Sequence, residues 1–329
     1  MSRTASPWTW TTTALVLCWC VNLGLPQYAA AQPAEAASDR VAKVLARNGF
    51  VGEVLVADRE VVRTALATGG TSPEMSWRWA SVSKQVAAAL AMRQVQAGLI
   101  ALDDPVARHL PAAAAHPTVT VRQLMMHTSG LPNPDMTTLP NDPLPACLAA
   151  AVRLPGERFE YNNCDTLVLA ALLARTTGRP YAGLLRDELT AALGVHRIAL
   201  ATTPPELAAY GAAAALTGTA LELVAFDRAL LAQRWLSPEH TGTMWRGEPQ
   251  LGYVALGAWA FEASIKGCAT PVMLVERRGA VSGVQVRNVI APKLGVMVIA
   301  FTPSEDFEFG EVWQGRGFTY DLLAAALCS

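Results

Sequence analysis

Ala80-Ser81-Val82-Ser83-Lys84 opens an Ala-rich, helix-favouring run that continues to about Ala97, where Gly98 stops it. Ser81 and Lys84 are three residues apart, so a helix places both on one face. A serine hydroxyl barely ionises near neutrality and needs a base within hydrogen-bond reach; a lysine one turn away serves if it is neutral. Bringing a lysine from about 10.4 to about 7–8 costs roughly 4 kcal/mol, so this reading requires Lys84 to be partly desolvated and near other cations. The first turn of the helix adds free N–H groups that favour the negative charge developing in acyl transfer. An ordinary surface helix can carry the same spacing. What sets Lys84 apart is scarcity: the chain holds only four lysines, Lys43, Lys84, Lys266 and Lys293, against many arginines.

With 329 residues, 52% of them apolar and 16% charged, the chain can bury one large core or two unequal subdomains. Its net charge of -1 and the lack of any Lys/Arg cluster give no basis for nucleic acid or an anionic membrane as partner. A small neutral or modestly anionic ligand fits better. Residues 1–31 read as a targeting segment: Arg3 supplies the positive start, Ala14 to Leu25 the apolar stretch, and Ala29-Ala30-Ala31 a small-residue cleavage site before Gln32. Asn22 interrupts the run, which falls short of the roughly 20 apolar residues of a membrane span. A secreted or periplasmic monomer without stable membrane association is therefore expected. Removing the leader takes away Cys18 and Cys20 and leaves Cys147, Cys164, Cys268 and Cys328. Four cysteines in an oxidising compartment allow three pairings, or four buried thiols; Cys147–Cys164 is favoured because it would brace the neighbouring Tyr161. No C-x-x-C pair or His/Cys cluster suggests zinc, and no metal or cofactor is expected.

In chain order, Ala34 to Asn48 reads as an amphipathic helix, and Gly52 to Ala57 with Val61 to Ala67 as a hairpin turning at Asp58-Arg59-Glu60. From Leu102 to about Leu236 strand signals fade. Helical runs are expected at Val121–His127, Leu144–Arg153, Asp165–Thr177, Tyr181–Leu193 and Thr219–Arg234, with Leu207 to Leu221 a loop entering the last. Period-two alternation returns in Leu251–Glu262, Val272–Arg278, Gly283–Ile290 and Gly295–Thr302, which read as an antiparallel sheet, and Gly317 to Cys328 reads as a closing helix. The expected fold is α/β (α+β): an antiparallel sheet flanked by helices, with a large all-helical insertion. One domain, 32–329, divides into a sheet subdomain of 32–100 and 245–329 and a helical subdomain of 101–244, with the reactive helix at their seam.

Several motifs occur together in one order. Trp79-Ala80-Ser81-Val82-Ser83-Lys84-Gln85 is followed by Leu102-Asp103-Asp104-Pro105-Val106, then His127-Thr128-Ser129-Gly130-Leu131-Pro132, then Pro155-Gly156-Glu157-Arg158-Phe159-Glu160-Tyr161-Asn162-Asn163, then Thr177-Gly178-Arg179-Pro180-Tyr181. From about Gly52 to Thr302 the chain resembles the serine β-lactamase and penicillin-binding-protein-like hydrolases, most closely the branch of class C β-lactamases, related esterases and D-peptidases. The resemblance implies a β-lactamase/transpeptidase-like fold. It implies catalysis by Ser81, Lys84 and Tyr161, the phenol of Tyr161 shuttling a proton between Ser81, leaving group and water. Asn163 would bind Lys84 and the acyl side of the substrate. His127 is read as structural, and the G-x-S-x-G of a Ser-His-Asp hydrolase is absent.

The departure from that family lies in its third motif, Lys, His or Trp, then any residue, then Gly; here Arg277-Arg278-Gly279 stands in its place. Gly279 would let the strand approach the substrate, and the Ala280 and Ser81 N–H groups would form an oxyanion hole. Arg277 cannot act as a base, but it can bind a substrate anion and lower the pKa of Lys84. The alternative for such an arginine is a surface position on an edge strand. The substrate is expected to be a small ester, D-amino-acid peptide or β-lactam. The competing reading is an inactive penicillin-binding-like protein that holds peptidoglycan peptides.

Overall fold

The computed structural model describes residues 34–139, 142–281 and 283–328; the leader read at 1–31 lies outside the described residues. Nine strands carry the architecture: β1 Glu53–Asp58, β2 Val62–Ala67, β3 Trp77–Arg78, β4 Ala199–Leu200, β5 Leu216–Gly218, β6 Trp259–Ala263, β7 Val272–Val281, β8 Val284–Ala291 and β9 Val296–Thr302. Six of them form an antiparallel sheet in the order β2-β1-β9-β8-β7-β6. The hairpin near the start of the chain is thus completed by its last strand, with Leu55 opposite Ile299. The remaining three make a small sheet in the order β3-β5-β4.

Alternation of side chains sends the sheet's two faces into different cores. On one face Val54, Leu274, Val289 and Val298 pack with the amphipathic helix α1, Ala34–Arg47, and with the closing helix Phe318–Leu327. On the other, Leu55, Val275, Ile290 and Ile299 join the larger cluster that surrounds α2, Val82–Gln96. This helix is buried from Val82 through Met92. Its alanines allow close neighbours on every side, and the close approach has strict consequences: a Cβ on Gly257 (φ 78°) would lie 2.5 Å from Ala88 Cβ. Polar residues of α2 are partnered inside the core, Ser83 Oγ donating to Ala80 O at 2.6 Å and Asn288 Nδ2 to Gln85 Oε1 at 3.1 Å.

Four expectations are corrected. The run Leu144–Arg153 is helical only over Leu144–Cys147; beyond it the chain turns and bends, and the N–H groups of Val152 and Arg153 both donate to Gly130 O instead of continuing the helix. The strand expected from Leu251 begins only at Trp259, since Gly252 and Tyr253 turn the backbone left-handed and Glu248 and Val254 form their own bridge. The surface alternative for Arg277 also falls: β7 pairs with β6 only as far as Glu276, but Arg277, opposite Asn288 of β8, is 2% exposed. The stretch read as a loop from Leu207 contains short helices and β5; Thr219 then caps the helix Ala220–Leu231 in a reciprocal arrangement with Glu222. Two disulfides are present, the favoured Cys147–Cys164 and a second, Cys268–Cys328, tying the β6–β7 connection to the chain's end. Among the described residues no helix is long and apolar enough to cross a membrane.

Candidate active site

Ser81 occupies the N-cap of α2, yet its side chain makes no capping bond. Its Oγ instead lies 2.5 Å from the Tyr161 hydroxyl and 3.1 Å from Lys84 Nζ. Ala80, immediately before it, holds φ at 46°, a left-handed conformation that costs about 1–2 kcal/mol in a residue with a Cβ. The strain turns the chain sharply from β3 into α2 and frees the hydroxyl from its usual capping duty.

Lys84 is 2% exposed. Its Nζ donates to Asn163 Oδ1 at 2.7 Å and to Ala213 O at 2.9 Å, besides facing Ser81. A neutral amine has two hydrogens and one lone pair; with both hydrogens on Asn163 and Ala213, the lone pair faces the Ser81 hydroxyl. Burial is the largest influence on this amine and pushes it down, the Tyr161 phenolate pulls it back up, and the Arg277 guanidinium lowers it again, to about 8. Burial raises Tyr161, but Arg277 and then Lys84 outweigh it and bring the phenol to about 8. Two groups that ordinarily titrate at the alkaline end are thus matched to each other beside one hydroxyl.

Tyr161 and Asn163 arrive together at the start of the helix Asn163–Thr177. The capping is done by their neighbour: Asn162 Oδ1 accepts from Asp165 N, and its Nδ2 donates to Leu131 O at 2.7 Å. Asn133 Oδ1 accepts from Asn163 N, so the segment after His127 clasps the one bearing Tyr161. His127 Nδ1 and Ser129 Oγ both meet the buried carboxyl of Asp165, and the His127 ring lies 4.9 Å from that of Tyr161. Burial holds Asp165 well above the usual carboxylate range and His127 well below the usual imidazole range. This arrangement backs the phenol, in line with the structural reading of His127.

Arg277 lies beneath these groups at 2% exposure. Its Nε donates to Ser81 O at 2.8 Å and its NH2 to the Tyr161 hydroxyl at 3.2 Å. Two residues on, a Cβ at Gly279 would sit 2.7 Å from Ser81 N and 2.8 Å from Ala80 Cβ, so only glycine lets β7 lie this close to the start of α2. Above them opens a cavity of about 330 Å³ whose wall includes Ser81, Tyr161, Gly279 and Ala280. Its cationic members are Arg278 and Arg287, with Trp259 and Gln285 beside them; Arg277 is not part of that wall.

Sequence reasoning passed over Ala213, Trp259, Gln285, Arg278 and Arg287. Ala213 acts through a backbone carbonyl and leaves no side-chain signal. Arg278 is within the third motif, but which of two adjacent arginines meets solvent depends on strand facing. Among the described residues no three His, Cys, Asp or Glu side chains cluster so as to hold a metal ion.

A Beta-lactamase family model matches residues 37–257, well over half of the chain. The D-alanyl-D-alanine-carboxypeptidase/endopeptidase AmpH of Escherichia coli K12 is 27% identical over 148 residues, 39% of this chain and 38% of that protein. Esterase EstB of Burkholderia gladioli is 29% identical over 187 residues, 47% of this chain and 46% of the esterase. The chain thus matches less than half the length of either curated relative. Among solved structures, the D-amino acid amidase of Ochrobactrum anthropi SV3 superposes with a TM-score of 0.71 at 20% identity, covering 88% of this chain and 97% of the amidase. At that identity the likeness speaks for the fold alone.

Proposed function

This chain belongs to the Beta-lactamase family, and from that premise we propose that it is a secreted serine hydrolase working through an acyl-enzyme on an ester, D-amino-acid peptide or β-lactam carbonyl. The observation that carries the reading is the Ser81 hydroxyl held between Tyr161 at 2.5 Å and Lys84 at 3.1 Å, both partners lowered to about 8. As Ser81 Oγ bonds to the carbonyl carbon, neutral Lys84 takes its proton. The carbonyl oxygen becomes anionic beside the N–H groups of Ser81 and Ala280, a setting in which each donor contributes about 2.7–4 kcal/mol. Tyr161 gives its proton to the departing alcohol, amine or lactam nitrogen as the carbon–heteroatom bond breaks. The Lys84 ammonium then restores the phenol. Water attacks the acyl-enzyme and loses its proton to the same pair, while Ser81 regains its own.

Asn163 fixes the amine, and Arg277 supplies positive charge below it. Esterase and carboxypeptidase activities named for the relatives agree with a carbonyl substrate of either kind. Secretion is supported by the leader read at 1–31 and by two disulfides, which persist in oxidising compartments.

The test is intact mass and turnover of the protein and of Ser81→Ala, after brief exposure to p-nitrophenyl acetate and separately to a penicillin. An acyl adduct, or turnover, present in the wild type and absent from the variant establishes Ser81, with turnover expected to fall at least about 10⁴-fold. The reagent that reacts separates ester from lactam chemistry. Neither adduct nor turnover with either reagent would overturn the hydrolase in favour of a binding protein.

A further inference from the structure

A second cavity of about 440 Å³ adjoins the first, and Trp259 and Arg278 line both. Its other walls include Tyr253, Phe261 and Trp313. Trp313 is 64% exposed and Tyr253 48%, so two large rings stand in water next to the proposed nucleophile's cavity, where the fold itself gains little from them. Trp313 is nonetheless held in place. It belongs to the short 3₁₀ turn Val312–Gln314, meets Phe261 edge to face with ring centres 6.2 Å apart, and has the Arg278 guanidinium 5.4 Å from its ring. The same guanidinium lies 5.6 Å from the Trp259 ring, bridging the two indoles. Tyr253 is fixed through its backbone: φ is 64°, and its N–H and C=O bond to Glu248 and Ala260, each at 2.9 Å.

The charge of Arg278 is already met, by Glu311 at 2.5 Å and Glu276 at 3.2 Å. What it offers a ligand is therefore a flat, weakly hydrated stacking face between two indoles, not an unanswered cation. We propose that this cleft, continuing from Ser81 past Trp259 to Trp313, is a substrate subsite for an uncharged aryl group. The proposal rests on the serine-hydrolase reading and names the substrate class within it: carbonyl compounds with a neutral aromatic arm, in preference to those whose corresponding arm is short and aliphatic. A carboxylate on that arm would face Glu311 and Glu276 as well as Arg278, and gains nothing there.

The test compares ethyl butyrate, ethyl 4-phenylbutyrate and benzyl butyrate, whose hydrolysis is followed by titrating the acid released. The two aryl esters place the ring on the acyl and the alcohol side respectively. In Trp313→Ala, the kcat/KM ratio of at least one aryl ester to ethyl butyrate should fall about tenfold, and in Trp313→Phe it should stay within about threefold of wild type, as expected when an aromatic contact is removed or kept. Ratios unchanged in Trp313→Ala for both aryl esters would overturn the subsite. Labelling of Ser81 by a small fluorophosphonate is read in parallel. If wild type neither turns over an ester nor takes the label, the acyl-enzyme reading fails separately. Calorimetric titration of Ser81→Ala with ethyl 4-phenylbutyrate then decides: saturable binding lost on adding Trp313→Ala upholds the subsite, and no saturable binding overturns it.

Discussion

Arg277 and Arg278 are neighbours on β7 and face opposite sides of the sheet. Arg277, on the face toward α2, donates to Ser81 O and the Tyr161 hydroxyl and, among the described residues, makes no ion pair. Arg278, on the other face, is bonded to Glu276 and Glu311. Burial pushes Arg277 below its ordinary range; at Arg278 burial pulls the same way but the two glutamates outweigh it and raise the guanidinium. The inner charge is thus uncompensated and its field reaches Lys84 and Tyr161, whereas the outer charge is largely cancelled where it stands. One residue type, one position apart, sets proton affinities on one face and builds a stacking surface on the other.

The hardest blow to this distinction is Gly279→Ala on the inner face. Ser81 N and Ala80 Cβ, the atoms that a new methyl would strike at 2.7 and 2.8 Å, belong to the backbone and its first carbon and cannot swing aside. Single-turnover acylation should slow about 100-fold as the carbonyl-facing N–H groups separate, a change typical of misplacement by about 1 Å. Acylation at the wild-type rate would show that the close contact of β7 with α2 is irrelevant to the chemistry.

Arg277→Gln should act next, on the pH profile. Lys84 carries an extra proton and no lone pair below about 8, and above about 8 Tyr161 loses the proton it gives the leaving group. Log kcat/KM should therefore rise with pH toward that value and fall beyond it, both limbs belonging to the Lys84–Tyr161 pair. Arg277 lowers both groups; without its charge both rise, and the profile moves toward alkaline pH by about one unit, with about tenfold less activity at pH 7. An unmoved profile would reduce Arg277 to a scaffold.

The smallest effect is expected from Glu311→Gln on the outer face. This pair is about one quarter exposed on each side, so thermal or denaturant unfolding should show a loss of at most about 1 kcal/mol. The pH profile should stay where it is. A shift matching that of Arg277→Gln would erase the difference between the two faces.

Much of the frame was legible before any coordinates. The hairpin, the reactive helix, the last three strands and the closing helix follow from periodicity and from glycine stops, and each is found within a few residues of its expected bounds. Where reading failed, a non-local contact had overridden the local pattern. Leu148 to Arg153 is apolar enough for a helix but bends out of it toward Gly130 O, and Tyr253 to Ala258 alternates like a strand but is bent by its own bridge to Trp259. The short strand β5 was missed because its partners, Trp77–Arg78 and Ala199–Leu200, are far away in sequence.

What the sequence determined by itself is the set of groups and their local spacing: a serine and a lysine one helical turn apart, a tyrosine and an asparagine two residues apart at a helix start, a glycine two positions after Arg277. These depend on helix and turn geometry, which a few consecutive residues decide. Only the tertiary structure decided that Lys84 is buried with Ala213 O as its partner, that Cys147 meets Cys164 and Cys268 meets Cys328, and that Arg277 rather than Arg278 lies under Tyr161. Burial, pairing and strand facing are set by segments far apart in the chain, and a one-residue change of register would have exchanged the two arginines.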